Sequence, residues 1–257
     1  MKQREHEKHQ HVEEILTLHE KWIRQEHGGK RATFANQEFQ RCNFAGRDLS
    51  GVDFSGANLR GANFSQAKLV GTKFTAANCS HCNFENATML DVEASQANFN
   101  ASDFRHANLS DGFFQKATFQ KASFTDAVLW QADFSGTIAL NANFLSSDLQ
   151  KVNFYQADLS GSYFVKAKMR DTVICATKLA GAKFTESFLQ ISLSTGDLGY
   201  HVEQKKLYFY FPFYHNFHGT SIDDFLAGFL DTYPEENPEN ECIMREVKWA
   251  IEAFQLL

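Results

Sequence analysis

The first residues that could do chemistry lie in the segment Cys79-Ser80-His81-Cys82. This spacing is typical of half a zinc site or of a redox pair. A structural zinc ion takes four ligands in a tetrahedral arrangement, and no second pair of ligands is visible in the sequence. We therefore expect no metal site here. We expect both thiols to lie in the core, because they occupy inward positions of the repeat that fills the middle of the chain.

Histidines form two further groups that could do chemistry. One group lies near the N-terminus and could bind a metal ion: His6, His9 and His11. The other lies near the C-terminus beside two carboxylates and could form a catalytic cluster: His215, His218, Asp223 and Asp224. No serine or cysteine nucleophile stands in a recognisable motif, and neither a phosphate-binding loop nor a dinucleotide fingerprint is found. The sequence therefore predicts a protein that is not an enzyme, with no catalytic residue, bound metal or cofactor.

A repeat positions most of these residues, and it runs from Phe34 to Leu189. Every fifth residue is large and apolar at 32 successive positions, with only Cys79, Ala94 and Ala139 departing. Two residues before each of these centres, the side chain is almost always small. A helix repeats its face about every 3.6 residues and a strand about every 2, so a period of five fits neither. A fixed period instead indicates a solenoid, whose units bury their apolar residues by stacking on their neighbours.

The repeat resembles the pentapeptide repeat family. The resemblance is carried by units such as Ala57-Asn58-Leu59-Arg60-Gly61, Ala62-Asn63-Phe64-Ser65-Gln66 and Ala157-Asp158-Leu159-Ser160-Gly161. It implies a right-handed β-helix in which four units make one square coil. It also implies that the positions flanking each centre point outward.

Sorting the centres by a period of 20 supports four units in each coil. One column contains phenylalanine alone: Phe44, Phe64, Phe84, Phe104, Phe124, Phe144, Phe164 and Phe184. The next column contains only leucine and methionine, from Leu49 to Leu189. This segregation predicts that like side chains stack one coil apart. About eight coils at a strand spacing of ~4.8 Å would make a rod roughly 38 Å long. Ala94 and Ala139 are expected to leave holes in its interior.

The sequence predicts three domains of a mainly β protein. Residues 1–31 should form an N-terminal helical cap, with an amphipathic helix over residues 10–27 that ends at Gly28 and Gly29. Residues 32–193 should form the β-helix. Residues 194–257 should form a small α+β cap, with a strand from Leu207 to Phe211. In this cap, one helix should begin near Ser221 and a second should cover residues 243–254.

Charge and hydropathy exclude several classes of protein. Net charge is −6, and residues 31–191 are nearly neutral with 15 basic and 14 acidic groups. Residues 192–257 carry 4 basic and 11 acidic groups. We expect no direct nucleic-acid binding, because the rod has no basic stripe. We expect no membrane helix, because no apolar run reaches about 18 residues. The absence of a signal-like segment and the buried cysteines favour the cytoplasm.

Two non-enzymatic functions then compete. The first is a scaffold that binds a protein partner through a flat side of the rod. The second follows from the resemblance, which implies that the chain could modulate DNA gyrase or topoisomerase, as the acidic rods of the family that mimic DNA do. A nearly neutral rod disfavours the second function, because mimicry of phosphates requires a strong negative field.

Outward positions that carry apolar residues predict where a partner binds. In the first four coils only Val70 and Leu90 are large and apolar there. The last four coils contain twelve apolar residues at these positions: Phe113, Val128, Trp130, Ile138, Leu140, Leu145, Tyr155, Tyr163, Val165, Val173, Cys175 and Phe188. We expect the C-terminal segment to cover those near the last coil. We expect the rest to bind a protein partner or a second copy, through Trp130, Leu145, Tyr155, Tyr163 and Val165.

Overall fold

The computed structural model describes residues 2–174, 177–183, 188–193, 196–201, 206–210 and 217–220. Helix α1 spans Lys2–Ile23. Five strands follow in chain order: β1 (Lys168–Met169), β2 (Phe188–Leu193), β3 (Gly196–His201), β4 (Lys206–Tyr210) and β5 (Phe217–Thr220). Between α1 and β1, single β-bridges replace extended strands. No helix in this part of the chain is long and apolar enough to cross a membrane.

Each five-residue unit contributes one parallel bridge to the unit 20 residues later. The bridges run from Thr33↔Asp53 to Tyr163↔Lys183. In each unit from Phe34 to Phe164, the backbone N–H of the central residue donates to a carbonyl one coil later, as from Phe34 to Asp53 at 2.7 Å. Because four units separate bridged partners, the chain turns four times in each coil. The described coils are therefore a four-sided β-helix solenoid.

We name the four sides by their buried centres in chain order. Side I contains Phe34 and every twentieth residue after it, side II contains Phe39, side III contains Phe44 and side IV contains Leu49. Sides I and III are opposite each other, as are sides II and IV. The residues immediately before and after a centre lie on the outer surface of the same side. The residue two after a centre lies at the corner that leads to the next side.

Stacked phenylalanines fill side III, as the sequence predicts. The rings from Phe44 to Phe164 lie 4.8–5.0 Å apart along the rod, and each pair is within 14° of parallel. Such offset rings contribute about 0.5–1.5 kcal/mol for each pair beyond the burial of their area. The last member of the column, Phe184, lies outside the described residues.

Ala94 interrupts the phenylalanines of side I, and a ring from the neighbouring side compensates. Phe99, on side II, contacts Phe74 edge-on at 6.3 Å and Phe114 edge-on at 6.2 Å. These two rings belong to side I and lie one coil below and one coil above Ala94. Ala94 is itself fully buried. The position predicted to be a hole is thus bridged by an aromatic side chain from an adjoining side.

The corners adopt a left-handed backbone. Gly51, at φ +74°, is one of the glycines that the sequence places there. Lysine, aspartate, glutamine and histidine occupy the same conformation at other corners, as at Lys116 with φ +59° and Asp126 with φ +56°. The corner N–H donates into the ladder, for example from Asp126 to the carbonyl of Leu145 at 3.0 Å. This hydrogen bond holds a conformation that costs an L-residue about 1–2 kcal/mol.

Helix α1 packs on the N-terminal end of the coils. Leu16 and His19 are buried, and Val12 and Ile15 pack against the same core. Arg47 Nη2, on the rod, donates to both carboxylate oxygens of Glu13 at 2.7 and 2.8 Å.

The helix begins earlier and ends earlier than the predicted range of residues 10–27. It ends because Gln25 takes a left-handed φ of 56°. The N–H of Glu26 then donates to the Lys21 carbonyl at 2.8 Å, and the N–H of Gln25 donates to the Trp22 carbonyl at 3.0 Å. This pair of bonds is a Schellman termination, which usually uses glycine at the left-handed position. The helix therefore ends before Gly28 and Gly29.

The C-terminal strands continue the ladder of side IV. Strand β2 pairs in parallel with β1 of the preceding coil, and β2 to β5 then pair antiparallel in sequence order. A single five-stranded sheet therefore extends across residue 193. The predicted strand from Leu207 is present as β4. The predicted helices beyond Ser221 lie outside the described residues.

Candidate interaction surface

The cysteine pair lies in the interior of the rod. Cys79 and Cys82 are both buried, and burial raises the pKa of the Cys79 thiol well above its usual value. Cys82 Sγ donates to the carbonyl of Leu59 at 3.0 Å, in the same way as Thr72 Oγ1 donates to the carbonyl of Leu49 at 2.9 Å. Cys82 therefore has the same structural role as other small inward residues, whereas Cys79 fills a central position of side II.

The histidine groups provide no site in the part of the chain that the structure describes. His81 is exposed at a corner, and His11 is exposed on helix α1. No group of three or more histidine, cysteine, aspartate or glutamate side chains among the described residues could hold a metal ion. The side chains of His6, His9, His215, His218, Asp223 and Asp224 lie outside the description.

The position before each centre has a defined structural role. Where Asn or Asp stands there, its side-chain oxygen accepts a hydrogen bond from the N–H two residues later. Asn83 Oδ1 accepts from Glu85 at 2.8 Å, and Asp53 Oδ1 accepts from Ser55 at 2.9 Å. This local bond satisfies an N–H that points away from the ladder. This hydrogen bond explains why Asn and Asp are frequent at the position before the centre. The sequence pattern alone gives this reason only in outline.

Five apolar residues replace this acceptor, and all five are exposed. They are Phe113 (48%), Val128 (37%), Ile138 (41%), Tyr163 (42%) and Val173 (40%). Trp130 and Tyr155, which follow their centres, are also exposed, at 39% and 45%. From residue 31 to residue 112, all of which the structure describes, no large apolar side chain is exposed, and Val70 and Leu90 are half-buried. Among the coil residues whose side chains the structure describes, the exposed large apolar ones all lie between residues 113 and 173.

The predicted site residues lie on three different sides. Leu145, Tyr163 and Val165 share side III, where Leu145 and Val165 are half-buried one coil apart. Trp130 lies on side IV, which adjoins side III. Tyr155 lies on side I, opposite side III, so a partner seated on side III cannot also contact Tyr155. Of the other apolar positions, Cys175 and the side chain of Phe188 lie outside the described residues.

Lysines lie against two of these aromatic rings. Lys151 Nζ is 5.2 Å from the Trp130 ring centroid, and Lys183 Nζ is 5.0 Å from the Tyr163 ring centroid. Such cation–π contacts contribute about 0.5–1 kcal/mol at exposed sites. A lysine therefore lies close to two of the predicted site residues, Trp130 and Tyr163.

Charge changes sign along the rod. Residues 31–73 carry six basic and three acidic groups, residues 85–148 carry three and eight, and residues 151–183 carry six and two. The net charge of the whole rod conceals this change. Counting the charges coil by coil in the sequence would have found it. The apolar surface spans the boundary between the acidic middle and the basic C-terminal end.

Several charges pair one coil apart. Lys68 Nζ lies 3.2 Å from Asp48, Lys73 Nζ lies 2.8 Å from Glu93, and Lys178 Nζ lies 3.6 Å from Asp158. Burial acts to raise the pKa of Asp48, but hydrogen bonds from Ser50 and Lys68 outweigh it, so its pKa is lowered. These ladder pairs neutralise much of the outer surface.

Comparisons with known proteins agree with this geometry. The family model described as pentapeptide repeats matches residues 38–75, 77–115, 131–164 and 153–190, in eight copies. Among solved structures, the chain is similar to HetL, a pentapeptide repeat protein involved in heterocyst differentiation regulation in the cyanobacterium Nostoc sp. strain PCC 7120. That match has 23% identity, 60% coverage of this chain, 73% coverage of HetL and a TM-score of 0.46.

Two further solved structures are more distant. QnrB1, a plasmid-mediated fluoroquinolone resistance protein, matches in its full-length form with 17% identity, 60% and 87% coverage and a TM-score of 0.35. The pentapeptide repeat protein Rfr23 from the cyanobacterium Cyanothece 51142 matches with 14% identity, 60% and 88% coverage and a TM-score of 0.16. None of the curated proteins matches the chain at a significant level.

Proposed function

Because the chain belongs to the pentapeptide repeat family, we propose that it is a non-enzymatic scaffold that binds a protein partner through the C-terminal half of its coils. In this proposal about eight coils form the rod. Helix α1 caps one end of the rod, and the segment after residue 193 caps the other. The proposal includes the cytoplasmic location that the sequence predicts.

The observation that carries the proposal is the position of the exposed large apolar residues of the described coils, which all lie between residues 113 and 173. At five of these positions the chain has an apolar side chain where Asn or Asp would accept a local hydrogen bond. Each such bond contributes about 0.5–1.5 kcal/mol. Apolar residues at these positions therefore do not serve the stability of the isolated rod. Clustered exposed apolar residues with aromatic members are typical of protein contact surfaces.

The contact surface in this proposal comprises sides III and IV. Trp130, Leu145, Tyr163 and Val165 lie on these adjoining sides, so one partner can contact all four. Tyr155, on the opposite side, would belong to a second contact area.

Quantitative co-purification tests the proposal. The double variant Tyr163→Ser, Val165→Ser should lose bound protein relative to wild type, and Trp130→Ala should reduce it. The matched control is Asn63→Ser, Ser65→Ala, which changes the same two positions of side III in the N-terminal half and should retain binding. Equal binding by the apolar variants and the control would exclude this surface.

A second candidate, modulation of DNA gyrase or topoisomerase by mimicry of DNA, is favoured by one observation. Residues 85–148 carry eight acidic and three basic groups. However, Arg105 Nη2 lies 2.6 Å from Asp103, and Lys73 Nζ lies 2.8 Å from Glu93. These pairs weaken the negative field that mimicry of phosphates needs. Inhibition of gyrase supercoiling by the purified chain would support this candidate over the scaffold.

A further inference from the structure

The arrangement of residues on side III is self-complementary. We propose that side III binds the same side of a second copy, with the two rods antiparallel and a twofold axis crossing side III at the level of Asn143, Leu145 and Ser146. This inference rests on the proposed function, because it names the partner that part of the C-terminal contact surface takes. It commits to one occupant, a second copy of this chain.

The ladder provides the geometry. Bridges connect Asp103 to Ser123, Ser123 to Asn143, Asn143 to Tyr163 and Tyr163 to Lys183, so these residues stand at even spacing along one column. The proposed twofold axis lies in the interface and is perpendicular to both rods. It places each residue opposite the residue of the same column that stands equally far on the other side of the axis. Such an isologous contact repeats every pair twice.

Mirror positions on side III carry opposite charges. At the corner next to side IV, Asp126 stands one level before Ser146 and Lys166 stands one level after it. Both are exposed, and their φ values of 56° and 58° give them the same backbone direction. Asp126 of each copy therefore faces Lys166 of the other. In the column before the centres, Asp103 and Lys183 stand two levels on either side of Asn143, but within one chain Asp103 already pairs with Arg105 at 2.6 Å and Lys183 lies over the Tyr163 ring, so the corner pair carries the complementarity.

Apolar side chains occupy the centre between these charges. Leu145 faces its own copy across the axis, Val165 faces Thr125, and Tyr163 faces Ser123. This arrangement gives an apolar centre with a charged rim, which is the usual anatomy of a protein interface. Charge complementarity of this kind fixes the register of two partners and excludes others.

The neighbouring sides do not have this property. On side IV, an axis at the same level places Asp148 opposite its own copy, and like charges would repel. An axis half a level further along would place Asp148 opposite Lys168, but it would have no apolar centre. On side II, an axis at the apolar pair Ile138 and Leu140 places Asp158 opposite Thr118 and Lys178 opposite Asn98, so no ion pair forms. Side III combines an apolar centre with opposite charges at mirrored levels.

The predicted contact is short. Five levels at ~4.8 Å extend roughly 24 Å along the rod. An interface of this length falls in the class below about 1,200 Å², which is typical of weak or transient association. We expect a dimer that forms at high protein concentration and dissociates as ionic strength rises, because exposed charges are screened by salt.

A charge exchange tests the pairing. Sedimentation equilibrium of the full chain should show mass rising with concentration towards a dimer. Asp126→Lys and Lys166→Asp should each weaken dimerisation by about tenfold or more, because they place like charges opposite each other. The double variant should restore it. These substitutions should fold, because lysine and aspartate already occupy equivalent corners at Lys116 and Asp111.

Lys116→Asp is the matched control, since Lys116 lies at a corner between sides I and II and should leave the dimer unchanged. A chain that stays monomeric at about millimolar concentration, or single variants that dimerise like wild type, would overturn the inference. So would a double variant that dimerises no better than the single ones. In those cases the Tyr163→Ser, Val165→Ser variant can still lose a co-purified protein partner. The scaffold function would then stand, and only dimerisation through side III would be wrong.

Crosslinking tests the register. Leu145→Cys should be linked into a dimer by a bismaleimide that spans about 10 Å, beyond any background of wild type, because the two copies of residue 145 face each other across the ~10 Å separation of packed sheets. Thr125→Cys should be linked much less, because its two copies would also stand two levels apart, about 9.6 Å along the rod. Equal crosslinking by both variants would exclude an axis at Leu145.

Discussion

The two halves of the rod have the same interior and different exteriors. The phenylalanine stack of side III continues from Phe64 and Phe84 at 5.0 Å to Phe144 and Phe164 at 4.9 Å without a change in geometry. The backbone ladder also continues through both halves. Outside, residues 31–112 expose no large apolar side chain, whereas residues 113–173 expose several in addition to polar side chains that bond their own backbone.

This difference shows that the buried residues of the coils specify the fold. In a solenoid each unit contacts only its neighbours, so stability depends on the units and their interfaces one by one. The outer positions can then change without disturbing the ladder. The C-terminal half exposes apolar residues at some outer positions and keeps the local hydrogen bond at others, as from the N–H of Ser135 to Asp133 at 2.9 Å.

The largest effect is expected from breaking the interior that both halves share. Phe104 is fully buried, with Phe84 and Phe124 each stacked on it at 4.9 Å. Phe104→Arg would bury an unpaired guanidinium and cost several kcal/mol, about 3–5 from the lost ring alone. We expect loss of the cooperative thermal transition followed by circular dichroism.

The control for this substitution lies on the outer surface of the same coil. Asn108→Arg should fold and lose only about 1 kcal/mol, since Asn108 Oδ1 accepts from the N–H of Ser110 at 3.1 Å. Equal melting temperatures for the Phe104 and Asn108 variants would contradict the inward assignment.

A smaller effect is expected where the two exteriors meet. Gly112 stands at an inward position that alanine usually fills, and a Cβ there would lie 2.5 Å from Cε2 of Phe114 and 3.0 Å from the Leu109 carbonyl. Gly112→Ala should therefore destabilise the chain by about 1–3 kcal/mol in urea unfolding. The sign of the change in the free energy of unfolding is informative. Replacing a glycine with alanine where no clash results usually stabilises a protein by about 0.4–1 kcal/mol. A gain in stability would mean that the Phe114 ring moves aside.

The interior could be predicted from the sequence because its signal is repeated in every unit. The all-phenylalanine column of side III became a stack of rings, and the buried positions of Cys79 and Cys82 followed from the same frame. The end of helix α1 could not be predicted, because Gln25 takes a position where glycine is expected. The compensation of Ala94 by Phe99 also needed coordinates, since it joins two sides.

The candidate site was predictable in part. The sequence identifies which half of the rod exposes apolar residues. Counting in steps of 20 also places Tyr155 on the side opposite Tyr163, although a list of apolar residues does not show it. Steps of 20 also place Asp126 and Lys166 one level on either side of Ser146, but the left-handed backbone that the two corners share, with φ of 56° and 58°, needed coordinates. A single-residue pattern does not contain this information.

At one outer position of side IV, the residue types of the two halves can be exchanged by substitution. Val128 is 37% exposed at a position where Asn108, one coil earlier, accepts two hydrogen bonds from Ser110. Val128→Asn should stabilise the chain by about 0.5–1 kcal/mol, because it supplies the missing acceptor. The reciprocal Asn108→Val should destabilise it by a similar amount. Differential scanning calorimetry measures both, and a loss of stability in Val128→Asn would mean that Val128 serves the fold.

The smallest effect is expected at the N-terminal end, where the coils meet helix α1. His19 is fully buried, and its Nδ1 accepts from the N–H of Ala32 at 3.2 Å. Its Nε2 has no hydrogen-bond partner, and its ring stacks on Trp22 at 5.4 Å. Burial lowers the pKa of His19 and Arg31 lowers it further, against the opposing effects of Asp48 and Glu20. The folded state therefore favours the neutral imidazole.

A lowered pKa in the folded state fixes the sign of the pH dependence. The stability due to neutral His19 is fully present above its unfolded pKa of about 6.5, and it is lost as pH falls from there towards the folded pKa. Protonation at Nδ1 would also remove the acceptor for the N–H of Ala32. We expect the melting temperature to fall between about pH 7.5 and pH 5.5, with a change in Trp22 fluorescence.

His19→Asn should weaken this pH dependence, because an amide oxygen can accept from the N–H of Ala32 without titrating in this range. The matched control is His27→Asn, since His27 is exposed just beyond the same helix and should keep the wild-type profile. Thermal melts of the three proteins across the pH range measure the difference. If His19→Asn and wild type lose stability in parallel, the acid sensitivity arises elsewhere in the chain.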